Sequence, residues 1–178
     1  LEDAERLQEL TTDLLLLARL DADALDKQDT VDLTAVAHRE VSRRAMVTLE
    51  ADDQVLVPGR RAQLSRLLGN LLDNAERHAT STVTVRLRGG PSAVLEVTDD
   101  GPGIPLQDRE RVFDRFTRLD DARTRDAGGA GLGLAIARLI ASRQQGTLEA
   151  AYTAEFRGIR FVATLPTRAP ASAAKVST

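Results

Sequence analysis

Asn70 and Asn74 stand four residues apart in the stretch Arg66-Leu67-Leu68-Gly69-Asn70-Leu71-Leu72-Asp73-Asn74-Ala75-Glu76-Arg77-His78-Ala79. That spacing puts both amides on one face of a helix, where they can point into a single cleft. An amide oxygen is a neutral acceptor suited to a hard cation such as Mg²⁺, which keeps waters and ligand phosphates in its remaining shell. Arg77 and His78 follow directly and offer cationic donors to phosphate oxygens. Further on, Asp99 opens the loop Asp99-Asp100-Gly101-Pro102-Gly103-Ile104-Pro105. Its carboxylate is an acceptor, and the glycines beside it let backbone come close to a flat ligand. A second cluster, Gly128-Gly129-Ala130-Gly131-Leu132-Gly133-Leu134, enters another helical pattern, whose first N–H groups are free to receive an anion. A metal ligand, a base acceptor and a phosphate cradle together describe a nucleotide site.

The elements that must hold these groups can be read in order. Residues 1 to about 27 form a long helical pattern with Leu7, Leu10, Leu14 and Leu17 on a heptad seam, widened by Leu15, Leu16 and Leu20 toward a four-helix arrangement. Residues 21–32 carry five aspartates and read as a polar connector. Asp32 caps a helix expected from Leu33 to Arg44, with Leu33, Val36, Ala37 and Val41 inward. Short strands are expected at Val47–Glu50 and Val55–Pro58, then a helix from about Arg61 that buries Leu64, Leu67, Leu68, Leu71, Leu72 and Ala75. Thr82–Arg88 and Ala93–Thr98 read as a hairpin about Gly89-Gly90, although Val94-Leu95 breaks the alternation and leaves the second strand's faces open. Pro105 suits the first turn of a short helix from Leu106 to about Val112.

Residues 117–128 mix Arg118, Arg123 and Arg125 with Asp120, Asp121 and Asp126, and hold almost nothing apolar, the composition of a mobile loop. Phe113 and Phe116 are expected to anchor its base in the core. A helix from Leu132 to Arg143 and strands at Thr147–Tyr152 and Gly158–Leu165 complete the order. The sum is an α+β two-layer sandwich, one mixed sheet with helices on one face, preceded by a long helix. Domain limits are placed at 1–28 for that helix and linker, 29–166 for the ligand-binding domain, and 167–178 for a disordered Ala/Ser tail.

Composition excludes several classes. The 178 residues suffice for one domain and an appended element, and 42% hydrophobic content with only 3% aromatics calls for an aliphatic core. A net charge of -3 without a basic stripe gives no case for nucleic acid. The absence of cysteine rules out disulfides and thiolate metal sites, and no stretch reaches the roughly 18 apolar residues of a membrane span.

Each motif has a plainer reading beside the chemical one. A lone helical Asn is ordinarily surface decoration; the spacing of Asn70 and Asn74 and the basic pair behind them favour the site. Asn70 is either a second polar contact or a structural hydrogen bond. Asp99 could be a strand-end turn acid, and Asp100 reads as solvated. His38 reads as a solvated helix residue, and Arg115 and Arg118 as phosphate or docking contacts.

In order and spacing these segments resemble the catalytic ATP-binding domain of sensor histidine kinases, within the wider group that includes type II topoisomerase ATPases. Asn70–Ala79 resembles the N box and Asp99-Asp100-Gly101-Pro102-Gly103 the first glycine box. Phe113-Asp114-Arg115-Phe116 resembles the F box, and Gly129–Leu134 the second glycine box. The resemblance spans residues 10–166. It implies ATP and Mg²⁺ as ligands, with Asn74 on the metal, Asp99 on the adenine amino group, and Asn70, Arg77, His78, Gly101, Gly103, Ile104, Gly129, Gly131, Leu132, Gly133 and Leu134 around the nucleotide. Catalysis would fall to Asn74 and Arg77, and residues 117–128 would be the ATP lid. Hydrolysing relatives carry a Glu where this chain has Asn70, and an amide cannot take a proton from water. Transfer to a protein histidine is therefore favoured over hydrolysis.

Neither His38 nor His78 lies in a phosphoacceptor pattern, so the acceptor histidine is expected on a dimerisation hairpin of which residues 13–21 resemble the end. Implied partners are that hairpin, a response regulator and a second protomer. The implied location is a cytoplasmic domain of an inner-membrane-anchored protein, with no membrane segment in this sequence. The alternatives are a degenerate ATP-binding regulatory module and an anti-sigma-type Ser/Thr kinase. Three departures from the pattern, Gly59-Arg60, Gln145-Gly146 and Glu155-Phe156-Arg157-Gly158, concern caps and turns.

Overall fold

The structure is a computed structural model and describes residues 29–117, 131–152 and 158–168 together with Thr11, Thr12 and Leu15. Those three isolated residues are helical, and the rest of the expected N-terminal helix, the lid segment from 118 and the tail from 169 lie outside the described residues.

Asp29–Asp32 forms β1, followed by α1 (Leu33–Val41), β2 (Val47–Ala51), β3 (Leu56–Gly59), α2 (Arg61–His78), β4 (Val83–Arg88), β5 (Ser92–Asp99), α3 (Gly133–Arg143), β6 (Thr147–Tyr152) and β7 (Ile159–Pro166). The main sheet has the order β2-β4-β5-β7-β6. β2 and β4 run parallel, with β3 and α2 in the crossover between them, and the remaining pairs are antiparallel. The mixed α+β sandwich is as expected, with one correction. β3 leaves the main sheet and pairs antiparallel with β1 in a separate two-stranded ribbon, Val31 opposite Val57. In residues 29–32 Val31 is the single apolar residue, too little for a period-two pattern, so a strand there was not foreseen. Pro58 is tolerated because a two-stranded ribbon has a free edge on each strand.

One face of the main sheet is buried by a regular alternation. Val83, Val85 and Leu87 of β4, Ala93, Leu95 and Val97 of β5, and Phe161, Ala163 and Leu165 of β7 are each no more than 1% exposed. Leu64, Leu67, Leu68, Leu71, Leu72 and Ala75 of α2 and Ile136, Ala137, Ile140 and Ala141 of α3 pack over them. Burying that many branched side chains, each favoured by about 1.5–3 kcal/mol, explains how a chain so poor in aromatics keeps its core. The Val94-Leu95 ambiguity resolves with Leu95 inward and Val94 half-buried opposite Thr164 on the other face.

Asp32 caps α1 as expected, its Oδ1 accepting from Ala35 N at 3.2 Å. That helix stops at Val41 rather than Arg44, where Ser42 N donates to His38 O and Ser42 Oγ to Arg39 O. Arg60 begins α2 without a side-chain cap, as its residue type implied. Gln145 occupies a left-handed position (φ 58) after α3, and Gly146 N reaches back to Ala141 O at 2.9 Å. This is the hydrogen-bond pattern that usually places glycine where Gln145 stands.

Instead of one helix, residues 106–113 make two 3₁₀ turns, Leu106–Asp108 and Arg111–Phe113, with Pro105 preceding the first. Leu106 is 79% exposed, so this segment has no apolar stripe with which to hold a full helix against the core. Phe113 meets Phe161 edge to face at 6.1 Å, but Phe116 points outward, 59% exposed. Only the first of the two phenylalanines is a core anchor. At the other end of the domain Thr167 and Arg168, placed in the expected tail, are bonded to it: Thr167 Oγ1 donates to Gly90 O, and Arg168 N to Leu56 O.

Candidate nucleotide site

The helix α2 is the spine of the site. Asn70 lies one turn from Leu67 at the edge of the leucine stripe, where it is buried, and its Nδ2 donates to Gly133 O at 3.0 Å. The middle of the spine is therefore tied to the start of α3, and Asn70 makes a structural hydrogen bond between two of the four motifs. Two turns further on, about 12 Å along the axis, the first glycine loop closes against the helix end. A β-carbon on Gly101 would lie 2.2 Å from His78 O, so only glycine allows that approach. Asn74 sits midway between these contacts and is half-buried, and Arg77 is exposed on the same side. Among the described residues Arg77 makes no hydrogen bond or ion pair.

Asp99 is placed by strand alternation: it continues the inward series of Ala93, Leu95 and Val97, which carries a carboxylate to the buried face. It is 2% exposed. Its Oδ1 accepts from Gly101 N at 2.9 Å, while Oδ2 is buried and has no partner. Burial pushes its pKa up, against backbone N–H donors of Gly101 and Ile159 and the nearby His78. A buried acceptor without a donor costs on the order of 1–3 kcal/mol, and a ligand N–H that reached it would recover that cost.

Gly158 makes the geometry possible, since a β-carbon there would lie 1.7 Å from Asp99 O. Its role was not anticipated: in sequence it reads as the remnant of a turn, and the signal available was a glycine directly before a strand that must pair beside Asp99.

Asp100 corrects the expectation of a solvated side chain. Its carboxylate accepts from the backbone N–H groups of Thr80, Ser81 and Thr82 and from Ser81 Oγ at 2.6 Å. Those donors, the Ser81 hydroxyl first, hold its pKa well below the usual carboxylate range. The adjacent aspartates thus do opposite work: one fixes the turn that follows α2, the other is left with an open acceptor.

The second glycine segment is described from Gly131 onward, and Gly129 and Arg118 lie outside the described residues. Gly131 has φ +70 and its carbonyl accepts from Phe116 N at 2.9 Å, so the chain before 118 and the chain after 130 meet here. Leu132 is buried at the cap of α3, and Gly133 and Leu134 are half-buried in its first turn, which carries no acidic side chain. Gly103 adopts φ 79. Ile104 packs half-buried on the core, and its carbonyl accepts from Arg109 Nε at 3.2 Å. Arg109 in turn lies over the Tyr152 ring. Arg115 is exposed, and so is His38 on α1. Among the described residues no group of three or more His, Cys, Asp or Glu side chains could hold a metal, and no helix is long and apolar enough to cross a membrane.

The donor set fits an adenine nucleotide: an unpartnered carboxylate oxygen and an uncommitted guanidinium at the C-terminal end of α2, a glycine-started helix against its middle, and a neutral amide between them.

Comparison with known proteins agrees. A sequence profile for the histidine kinase-, DNA gyrase B-, and HSP90-like ATPases matches residues 59–169. The probable sensor histidine kinase TcrY of Mycobacterium tuberculosis is 38% identical over 156 residues, 82% of this chain and 33% of that protein. The sensor protein RstB of Escherichia coli is 40% identical over 168 residues, 89% of this chain and 39% of that protein. The chain therefore spans between a third and two fifths of the length of these relatives. Among solved structures, the mycobacterial sensor histidine kinase MprB superposes with a TM-score of 0.68 at 34% identity, over 80% of this chain and 99% of that one. Full-length ShkA in complex with AMPPNP shares the fold, with a TM-score of 0.80 at 24% identity over 95% of this chain and 37% of that one. The chain belongs to the histidine kinase-, DNA gyrase B- and HSP90-like ATPase family, and within it to the sensor histidine kinases.

Proposed function

We propose that this chain is the ATP-binding catalytic domain of a two-component sensor histidine kinase, which moves the γ-phosphoryl group of Mg²⁺-ATP to a histidine other than His38 and His78. ADP leaves, and the phosphoryl group passes on to an aspartate of a response regulator. The full-length protein would be a homodimer anchored in the inner membrane, with this domain in the cytoplasm. The observation that carries the reading is the buried Oδ2 of Asp99, which lacks a donor. The adenine 6-amino group supplies one, whereas the 6-oxo group of guanine would set acceptor against acceptor.

Gly101, Gly103 and Ile104 would wall the base. Arg77 and His78 would donate to phosphate oxygens, together with backbone N–H groups from Gly129, Gly131, Leu132, Gly133 and Leu134. Asn74 would give Mg²⁺ its single protein oxygen, and the metal, when bound, supplies charge neutralisation on the phosphates. Phosphoryl transfer asks little more of a protein than position and charge. Asn70 supports transfer over hydrolysis: its amide is committed to Gly133 O and cannot act as a base toward water.

Titration calorimetry with AMPPNP tests this. Micromolar-range binding that requires Mg²⁺ is expected, with guanine nucleotide excluded and the metal requirement lost in Asn74→Ala. A protein that ignores adenine nucleotide at millimolar concentration, or binds it equally well without metal, would overturn the assignment.

A further inference from the structure

Asp73 and Glu76 interleave with Asn74 and Arg77 on α2, and one side chain from elsewhere in the fold takes up both carboxylates. Arg44 stands in the turn between α1 and β2, its N–H donating to Val41 O at 3.0 Å. Its Nη2 reaches Asp73 Oδ1 at 2.6 Å and its Nη1 bonds Glu76 Oε2. The Arg44 side chain is 17% exposed against 58% for Asp73, so the guanidinium lies under the helix flank rather than in water. Asp73 is four residues ahead of Arg77, about 40° around the helix, the order in which an acid and a base pair readily on one helix surface. Yet Arg77 makes no hydrogen bond or ion pair among the described residues.

We propose that Arg44 is a positioning residue for the nucleotide site: it holds Asp73 on the far flank of α2, away from Arg77, and so leaves the Arg77 guanidinium available to an anionic phosphate. The inference rests on the Mg²⁺-ATP reading above. Without Arg44, the Asp73 carboxylate has no other cation within a helical turn on α2 and takes Arg77. Glu76 has no basic residue three or four positions away on α2 and does not compete for it.

The test is a double-mutant cycle on the full chain, read by calorimetry with Mg²⁺-AMPPNP and with adenosine, and with thermal unfolding of each variant. Arg44→Met is expected to weaken AMPPNP by about fivefold, from lost phosphate contact, and to leave adenosine unchanged. In an Arg77→Ala background the same substitution should cost nothing further, and adding Asp73→Asn to Arg44→Met should restore affinity to within about twofold of wild type. Arg44→Lys, which keeps the charge, should show a smaller loss with the same dependence on Arg77, and it serves in place of the methionine variant should that one unfold. Equal losses with and without Arg77, a matching loss for adenosine, or no rescue by Asp73→Asn would overturn the proposal while wild-type binding leaves the nucleotide reading intact. Wild-type protein that fails to bind AMPPNP would overturn both.

Discussion

The C-terminal end and the middle of α2 meet their glycine segments in different ways. At the His78 end the first glycine loop is wedged backbone to backbone: Gly101 lies against His78 O, Gly158 against Asp99 O, and Asp100 holds the turn between with three backbone N–H groups. At Asn70, midway along α2, the second segment is tied by the 3.0 Å bond to Gly133 O and by Phe116 N on Gly131 O, and the β-carbon of a substituted Gly133 would meet Asn70 at an ordinary 3.7 Å. The end that carries Asp99 is built by close packing and leaves one buried acceptor without a donor. The region of Asn70 and the start of α3 is joined by single hydrogen bonds. Selection of a flat base needs a rigid acceptor, because a group that could relax would find water instead. Receiving and releasing a phosphoryl group needs a segment that can move.

The contrast can be broken hardest at Gly158. Gly158→Ala forces a β-carbon into Asp99 O, with only backbone to yield, and should destabilise the fold by about 3 kcal/mol or more, read by chemical unfolding, with AMPPNP binding lost. Asp99→Asn should separate selection from stability. Affinity for AMPPNP should fall by about ten- to a hundredfold, while the unfolding free energy at pH 7 rises by about 1 kcal/mol. The sign follows from the raised pKa: the ionised form is disfavoured in the fold, so the penalty is present above the folded pKa and fades as pH falls toward 3.8. The stabilising effect of the substitution should fade along with it.

Asp100→Ala should do the reverse. The depressed pKa of Asp100 means stability that is present above pH 3.8 and lost as pH falls below it. Melting temperature at pH 7 should drop by about 2–4 °C, with the difference narrowing in acid. The smallest effect is expected at the middle of the spine. Asn70→Ala removes one tie to Gly133 O and should cost about 1 kcal/mol, with AMPPNP weakened only a few fold in calorimetry. A cost at Asn70 equal to that at Gly158 would mean that the two regions are equally rigid, and the contrast would fail.

Which of these features could be read before folding depends on the range of the interaction behind them. The leucine stripe of α2, the Asp32 cap and the facing of Asn70 and Asn74 are set by residues three and four apart, and the helix period displays them directly. The order of the four motifs along the chain carried the resemblance to the family. The ribbon of β1 with β3 was not, because Val31 finds its partner Val57 far along the chain and shows no local pattern. Nor was the helical reading of 106–113 safe, since pattern alone did not reveal that Leu106 would have nothing to cover it.

Within the site, the amino-acid order by itself determined which donors and acceptors exist and that a nucleotide suits them, because residue type and local spacing carry that chemistry. Only the tertiary structure decided that of two neighbouring aspartates the first keeps an open acceptor and the second is saturated, and that Asn70 is committed while Arg77 is not. Those outcomes turn on contacts between residues distant in sequence, where burial and partner supply, not residue identity, set the state of a polar group.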